Sequence, residues 1–258
     1  MELYDFRLVS PTALVPAFAR GGTTIPYARE MMRVLRDRGA VLPEAGPFSE
    51  ETARRHASFF EARFRAVSHV LAEKNAAQVL ELASGLSPRG MELAQEGIVY
   101  VEADLEDSIA MKREIVTGIL GLVPADLHLC AASVLDRTQL LDCCSHFVAG
   151  RPVAVTTEGL LRYLTFEEKA QLARNVLEVL RRYGGLWITT DIHLKSSFAG
   201  QTAEQKQRET EQLGRSLDSN YFDSLDHARG FFETCGFGVE ARPLGQGIEG
   251  RLFVLTVN

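Results

Sequence analysis

The sequence has little of what marks several classes of protein. Its 258 residues include four cysteines, too few for the disulfide framework of a small secreted domain. No apolar run approaches the roughly 18 residues that a membrane-spanning helix needs. Lys and Arg total 28 against 34 Asp and Glu, without a basic run, so the charge pattern of a nucleic-acid binder is missing. The first residues also lack the basic-then-apolar pattern of a secretory signal. We therefore expect a cytoplasmic protein that binds neither nucleic acid nor membrane.

The cysteines do not indicate a metal centre either. Cys143 and Cys144 are adjacent, which is not the spacing of metal ligands. We expect buried structural roles for them and no bound metal.

Alternating apolar segments are the main signal that is present. Seven short runs rich in β-branched or aromatic residues lie at Gln78–Leu82, 98–103, 126–130, 152–157, 186–191, 237–242 and 251–257. Segments long enough for crossover helices separate the first five runs, a pattern typical of a parallel sheet covered on both faces. Only eight residues, three of them glycine, separate the last two runs, which predicts an antiparallel hairpin at one edge. The fold class is therefore α/β with a doubly wound sheet.

Helices are predicted on either side of this sheet. Thr165 and Glu168 form a capping-box pattern that begins a helix ending near Gly184, and a second helix is predicted over about 50–73. Residues 1–75 are thus predicted as a helical N-terminal cap region and 76–258 as the sheet domain. The polar segment 195–220 suits a lid insertion over the carboxyl edge of the sheet, or equally an ordinary solvated surface helix.

The loop after the first strand is a candidate ligand-binding turn. It reads ASGLSPRGMELA, where Gly85 permits close approach of the backbone to a ligand and Ala83 keeps the turn narrow. The loop has neither the G-x-G-x-x-G spacing of dinucleotide-binding proteins nor the ending of a phosphate-binding P-loop.

Three acidic residues are predicted to converge on the same sheet edge. Glu81 is near the end of strand one, Asp104 follows strand two 19 residues after Gly85, and Glu158 follows strand four. The spacing of Asp104 is that of an acid that accepts hydrogen bonds from ribose hydroxyls. The acids together suit a ligand with a ribose and a positive charge, such as S-adenosylmethionine, better than a nicotinamide dinucleotide.

Four segments resemble one known family. QVLELASGLSPRG, YVEADLEDSIAMKREI, AVTTEGLLRYLTFEE and GGLWITTDI resemble class I S-adenosylmethionine-dependent methyltransferases, in particular the leucine carboxyl methyltransferase branch that includes polyketide O-methyltransferases. The resemblance runs from about residue 59 to the end. It implies a Rossmann-like sheet of seven strands with an antiparallel last strand.

The resemblance also assigns cofactor-binding roles. Arg63 matches an arginine that approaches the carboxylate of the cofactor, and Gly85 matches the glycine under its methionine part. Asp104 matches the ribose-binding acid, with Glu102 as a second candidate, and Glu158 matches the acid near the methionine end. Glu81, in the same segment as Gly85, is a further cofactor-binding candidate.

The sequence departs from the family pattern at two places. Ala83 replaces the first glycine of the loop, so the backbone is expected slightly farther from the cofactor. After strand three, where relatives often carry Asp-Leu against the adenine, this chain has Ser133 and Val134. Ser133 retains a hydrogen-bonding group, and Asp136 is a candidate substitute for the carboxylate.

The candidate catalytic residues follow from the chemistry of methyl transfer. A carboxylate acceptor needs no base, whereas a phenol gains from one. Tyr163 and His193 are the candidate bases near the sheet edge, and Asp191 is expected to orient or charge His193.

The N-terminal segment ARGGTTIPYAREMM is expected to fold over the acceptor pocket. It carries Arg20, Tyr27 and Arg29, and an arginine there would suit an anionic acceptor.

These observations predict an S-adenosylmethionine-dependent O-methyltransferase of a small-molecule carboxylate or hydroxyl, with the oligomeric state left open. The departures at Ala83 and Ser133 leave room for a catalytically silent fold that acts as a binding or regulatory module. A nicotinamide-dependent dehydrogenase is a third reading, which the missing glycine motif and the acids Glu81 and Glu158 disfavour.

Overall fold

A seven-stranded sheet forms the centre of the protein. The computed structural model describes residues 11–44, 46, 48–198, 202–213, 216–245 and 247–258. The strands are Gln78–Leu82 (β1), Val99–Asp104 (β2), Leu127–Ala131 (β3), Val153–Thr157 (β4), Gly185–Thr189 (β5), Phe237–Gly245 (β6) and Ile248–Val257 (β7). They lie in the order β3-β2-β1-β4-β5-β7-β6. The first five are parallel, and β7 is antiparallel to both β5 and β6. The predicted fold class and hairpin are confirmed.

The strand order places the ligand-binding edge. β1 pairs with β2 on one side and with β4 on the other, so the chain reverses its winding direction between β1 and β4. In open α/β sheets, ligands bind beyond the carboxyl ends of the strands at this point. The loops after β1, β2 and β4 all lie there.

Ten α-helices surround the sheet in the described residues. They are Pro11–Gly21 (α1), Ala28–Asp37 (α2), Glu50–Arg55 (α3), Ala57–Glu73 (α4), Arg89–Leu93 (α5), Glu106–Leu120 (α6), Arg137–Cys143 (α7), Phe166–Tyr183 (α8), Ala203–Leu213 (α9) and Leu225–Thr234 (α10). None of the helices in these residues is long and apolar enough to cross a membrane.

Helix α8 begins as its sequence predicts. The hydroxyl of Thr165 accepts a hydrogen bond from the backbone N–H of Glu168, and the Glu168 carboxylate accepts one from the N–H of Thr165. This reciprocal pair satisfies two amides that a helix start otherwise leaves open. Gly184 ends the helix with a positive φ of 77°.

The helix predicted over 50–73 is two helices. His56 separates α3 from α4 with φ −96° and ψ 6°, outside the helical range, and its ring nitrogen Nδ1 lies 2.9 Å from the carbonyl oxygen of Thr52. Ser49 caps the start of α3 by accepting from the N–H of Thr52. The break lets α4 run in its own direction against the sheet.

The N-terminal helices share a core with the sheet. Leu14, Phe18 and Leu35 belong to the same buried cluster as Val79 of β1 and Ile188 of β5. The described part of the predicted cap region therefore packs on the sheet, and a small cluster of Ile25, Ala28 and Phe64 lies within the region itself. The first ten residues of that region lie outside the described residues.

The predicted lid segment is attached at its base. The N–H of Phe222 donates to the carbonyl of His193 (3.0 Å), and the N–H of Lys195 donates to the carbonyl of Phe222 (2.8 Å). Between these points lie the 3₁₀ turn Lys195–Phe198, helix α9 and the 3₁₀ turn Asp218–Asn220. Residues 199–201 and 214–215 of the segment lie outside the described residues. Its role as a lid stays a prediction.

Candidate functional site

The turn after β1 contains two residues with a positive φ, a conformation that residues with a side chain disfavour. Ala83 has φ 51° and Gly85 has φ 48°, both in the left-handed region. The N–H of Ala83 donates to the carbonyl of Ala103 at 2.8 Å, which fixes the turn to β2. A Cβ at Gly85 would meet no protein atom within 4 Å, so this glycine faces open space. The turn thus keeps a glycine-like path at Ala83 and leaves room for a ligand over Gly85.

Asp104 closes this turn from the end of β2. Its Oδ2 accepts a hydrogen bond from the N–H of Gly85 (2.7 Å), and its Oδ1 accepts one from the N–H of Leu105 (2.7 Å). The carboxylate is half-buried, and each of its oxygens can accept a further hydrogen bond. The predicted ribose acid therefore lies directly beside the predicted cofactor glycine.

Glu102 has a different place from Asp104. It is fully buried and pairs with Lys112 of α6, with 2.7 Å between Nζ and Oε2. A Cβ at Gly90 would lie 2.3 Å from its Oε1, so this glycine makes the space for the pair. Burial raises the pKa of Glu102 to about 7, although the Lys112 charge opposes the shift. Glu102 is thus a structural group and not a second ribose acid.

The loop after β3 runs beside Asp104. The N–H of Ala132 donates to the carbonyl of Asp104 (2.8 Å), which brings Ser133 and Val134 to the same edge. The N–H of Ser133 donates to the side chain of Gln139, and Val134 is buried. Asp136 caps α7 by accepting from the N–H groups of residues 138 and 139. Its carboxylate therefore caps a helix, and its candidacy for the adenine stays a prediction.

Arg63 and Glu158 meet on the other side of the turn. Arg63 projects from α4 with its side chain 7% exposed, and its Nη2 lies 3.7 Å from Oε2 of Glu158 and 4.0 Å from Oδ1 of Asp191. These distances are long for hydrogen bonds, and Nε of Arg63 has no partner among the described residues. Arg63 is thus a buried guanidinium with hydrogen-bonding capacity left over.

Arg89 fills the centre of the same cluster. Its guanidinium reaches Glu158 (2.6 Å), Glu81 (3.2 Å) and the carbonyl of Phe64 (3.1 Å), and its Nε donates to the hydroxyl of Ser68 (3.2 Å). It is completely buried. Glu81 also accepts from the hydroxyl of Tyr100 at 2.8 Å. Glu81 is therefore held inside the network by groups of the protein.

Arg20 brings the first helix into the cluster. It is buried, and its Nη1 donates to the carbonyl of Leu86 in the loop after β1 (3.0 Å). Burial lowers the pKa of Arg20 to about 10, with the Glu158 charge opposing the shift. Of the three residues expected to cover the pocket, Arg20 does reach this edge. The hydroxyl of Tyr27 accepts from Gln95, and Arg29 is exposed.

The cluster shifts the pKa values of two carboxylates in opposite directions. Burial would raise the pKa of Glu158, but the charges of Arg89, Arg63 and Arg20 outweigh it and hold the pKa below the usual value. The pKa of Asp191 is raised, because burial exceeds the effect of Arg63 and of the backbone N–H groups it accepts. Glu158 is therefore the stable negative charge beside Arg63.

Asp191 and His193 do not form the predicted pair. Oδ2 of Asp191 accepts from the N–H of Leu160 (2.7 Å) and Oδ1 faces Arg63, so this carboxylate is engaged away from His193. Burial, together with the positive charges of Arg162, Arg63 and Lys169, lowers the pKa of His193 to about 3. The expectation that Asp191 would charge His193 is therefore wrong.

Tyr163 lies in a short turn after β4. It ends the 3₁₀ turn Leu161–Tyr163, is half-buried, and has the guanidinium of Arg162 at 5.5 Å from its ring centre. Its catalytic role stays a prediction.

Comparison with known proteins identifies the family. The sequence model described as leucine carboxyl methyltransferase matches residues 21–177, more than half of the chain. The chain belongs to the leucine carboxyl methyltransferase family. The resemblance seen in the sequence is confirmed.

A curated relative of this family member comes from Gibberella zeae. The S-adenosyl-L-methionine-dependent methyltransferase dpfgK is 29% identical over 176 residues, which are 61% of this chain and 54% of that protein. The chain thus spans about half the length of this relative.

Solved structures share the fold at low identity. Magnesium protoporphyrin IX methyltransferase from Synechocystis, solved with bound SAH, has a TM-score of 0.55 and 10% identity, covering 80% of this chain and 87% of that one. PigF with SAH has a TM-score of 0.56 and 17% identity, covering 81% and 57%. These structures show that the chain shares the fold of two methyltransferases solved with SAH, and its family membership rests on the sequence model.

Sequence reasoning missed Arg89 as a member of the site. Arg89 lies in the segment SGLSPRG, where its position suggests only a charged residue at the start of a helix. The signal that could have found it is the charge balance, because two buried acids, Glu81 and Glu158, need a buried cation between them.

Proposed function

We propose that this protein transfers the methyl group of S-adenosylmethionine to an oxygen of a small-molecule acceptor. The observation that carries the proposal is the buried Arg63, whose Nε has no partner among the described residues and which lies beside Glu158 at the carboxyl edge of the sheet. A buried guanidinium with open donors suits a carboxylate ligand. The neighbouring Glu158 suits an ammonium group. An amino-acid moiety has both groups.

The rest of the cofactor fits the other side of the turn. Asp104 would accept from ribose hydroxyls, Gly85 leaves the space above the turn free of protein atoms, and the loop with Ser133 and Val134 lies beside Asp104. When bound there, the cofactor supplies a methyl group on a sulfonium centre. The chain itself contributes position and exclusion of water, which are the main requirements for an in-line displacement.

A carboxylate is the acceptor that this site suits best. A group with a pKa of about 3, as His193 has, binds a proton too weakly to activate a hydroxyl whose pKa is about 10. A carboxylic acid with a pKa near about 4 is already ionised at neutral pH. The positive charges that act on His193 also favour an anionic acceptor.

Two measurements, made one after the other, test the proposal. Calorimetric titration with S-adenosylhomocysteine should give saturable binding, weakened in Asp104→Asn and unchanged in Asp107→Asn, an exposed acid of α6. Absence of binding to the unmodified protein would contradict the cofactor assignment.

The second measurement offers paired acceptors, each a carboxylic acid with its alcohol or phenol analogue, and detects methyl ester or methyl ether by mass spectrometry. We expect esters from the acids. Transfer confined to the hydroxyl partners would overturn the choice of a carboxylate while leaving methyl transfer in place.

A further inference from the structure

One buried lysine holds the turn that carries the predicted cofactor glycine. Lys112 lies in helix α6 and is completely buried. Its Nζ donates to the carbonyl of Ser87 (2.5 Å) and to the carbonyl of Gly85 (3.3 Å), which lie 25 and 27 residues earlier in the chain. The third contact of the ammonium group is Oε2 of Glu102, at 2.7 Å. An ammonium group has three N–H donors, so each of them has an acceptor here.

Gly85 is a residue whose backbone needs such contacts to stay in one conformation. Glycine adopts positive and negative φ with similar ease, so the peptide groups beside it rotate more freely than those beside other residues. The N–H of Gly85 donates to Oδ2 of Asp104 (2.7 Å), and its carbonyl accepts from Lys112. Side chains from β2 and α6 therefore hold both polar groups of this glycine while its φ is 48°.

Buried cations bind three successive carbonyls of the turn. The carbonyl of Leu86 accepts from Arg20 (3.0 Å), and Lys112 binds the carbonyls of the residues on either side. The peptide bond between Gly85 and Leu86 is trans, so its N–H points away from the carbonyl and thus away from Lys112. A flip of this peptide would reverse both groups. The contact with Lys112 opposes that flip.

The next residue of α6 provides a comparison. Arg113 is exposed, and its Nη2 donates to the carbonyl of Leu129 in β3 at 3.2 Å. It therefore ties the same helix to the sheet through a backbone carbonyl, as Lys112 does, but at a strand and not at the turn. The two neighbours separate the attachment of α6 from the hold on the turn.

We propose that Lys112 is a positioning residue for S-adenosylmethionine, an inference that rests on the proposed function. It fixes the peptide between Gly85 and Leu86 in the orientation that the bound cofactor requires. Glu102 supplies the countercharge that a buried ammonium group needs. Because the turn is already ordered before the cofactor arrives, binding loses less conformational entropy and the affinity is higher.

Titration with S-adenosylhomocysteine, together with urea denaturation, separates positioning from stability. Lys112→Met removes both carbonyl contacts and leaves Glu102 without its countercharge, so we expect about tenfold or more weaker affinity and a lower urea midpoint. Lys112→Met/Glu102→Gln removes both charges, so the midpoint should recover toward that of the unmodified protein while the affinity stays low. Arg113→Met should leave the affinity unchanged. Affinity that recovers together with the midpoint would overturn the proposal.

Amide hydrogen exchange tests the turn without any ligand. The N–H of Gly85 is bound to Asp104, and the N–H of Ser87 donates to the carbonyl of Ser84 at 3.0 Å. In the double variant both amides should exchange faster than in the unmodified protein, whereas the amides of β1 should exchange at the same rate. Equal exchange of the turn in the two proteins would contradict the hold by Lys112.

The two readouts also distinguish this proposal from the proposed function. If the unmodified protein does not bind S-adenosylhomocysteine, the cofactor assignment fails and the positioning role fails with it. If the unmodified protein binds and both Lys112 variants bind as tightly, the positioning role alone is wrong.

Discussion

Two buried arginines approach different oxygens of the same glutamate, and their surroundings differ. Arg89 has hydrogen-bonding partners for its guanidinium from Glu158, Glu81 and the backbone of α4. Arg63 approaches Glu158 and Asp191 only at 3.7 and 4.0 Å. The guanidinium of Arg89 therefore has its partners within the protein. The guanidinium of Arg63 has hydrogen-bond donors left for a ligand.

The difference separates two roles that sequence motifs do not distinguish. A buried charge with all its partners present holds the fold together, because removing it leaves other charges uncompensated. A buried charge without close partners is unfavourable for stability unless something else binds it. Arg89 therefore belongs to the architecture of the site, and we propose Arg63 for its binding function.

The largest effect is expected for Arg89→Met, which tests the structural role of Arg89. The substitution keeps much of the side-chain volume but leaves Glu81 and Glu158 without their main countercharge. Breaking a buried ion pair from one side costs about 3–5 kcal/mol of unfolding free energy, and we expect a loss in that range by urea denaturation.

Arg137→Met is the matched control for that experiment. Arg137 forms a two-pronged pair with Glu178 on the surface. Exposed pairs contribute little, so its unfolding curve should overlay that of the unmodified protein. If Arg89→Met loses as little unfolding free energy as Arg137→Met, the cluster does not contribute to stability.

Arg63→Met should produce the opposite pattern. We expect a small change in stability and a weaker affinity for S-adenosylhomocysteine, since a charged hydrogen bond worth about 1.5–3 kcal/mol corresponds to roughly 10- to 150-fold in the dissociation constant. Calorimetry measures the affinity and thermal unfolding the stability.

The control lies two residues along the same helix. Arg65 is exposed and pairs with Glu61, so Arg65→Met should leave the affinity unchanged. If Arg63→Met binds as tightly as the unmodified protein, the guanidinium of Arg63 is not the carboxylate anchor.

His193 extends the comparison to a base on which the positive charges of Arg162, Arg63 and Lys169 act. Its folded pKa of about 3 lies below its unfolded value of 6.5, so the unfolded chain takes up a proton first as the pH falls. Stability from the neutral imidazole is present above pH 6.5 and is lost toward pH 3. Between pH 7 and pH 5 this linkage amounts to about 2 kcal/mol.

His193→Gln removes the titrating group, so its stability should fall less over the same interval. Urea denaturation at pH 7 and pH 5 measures both proteins. Parallel losses in the two proteins would mean that His193 is not held neutral by its surroundings.

The smallest expected effect is at Ala83. Its φ of 51° is strained for a side chain, so Ala83→Gly should stabilise the protein by about 0.5–1 kcal/mol. Ala72→Gly, at an exposed position of helix α4, should destabilise it by about 1 kcal/mol because glycine weakens helices. Melting temperatures that move in the same direction for both variants would argue against strain at Ala83.

Local patterns predicted much of the fold. The seven strand positions were right within a few residues, because strand formation and turns depend mainly on residues that are close together in the sequence. The capping box of Thr165 and Glu168 was confirmed for the same reason. The break at His56 was missed, although the apolar stripe that predicted the helix lies entirely in α4.

Pairing of charges was much less predictable. Arg89 and Glu158 are 2.6 Å apart, and Arg20 lies over Leu86, although these residues are distant along the chain. The expected link from Asp191 to His193 spans only two positions and does not form, because Asp191 turns toward Leu160 and Arg63. Proximity in sequence does not decide which polar groups meet at a sheet edge.

The sequence by itself determined the α/β class, the hairpin at the sheet edge and the family, because these depend on periodicity and on short motifs. It also placed Gly85 and Asp104 together, since parallel strands end at a common edge. Only the tertiary structure decided which arginine has all its hydrogen-bonding partners within the protein and which has donors left. Those outcomes depend on how helices from distant parts of the chain pack against one sheet, and burial then sets the strength of each contact.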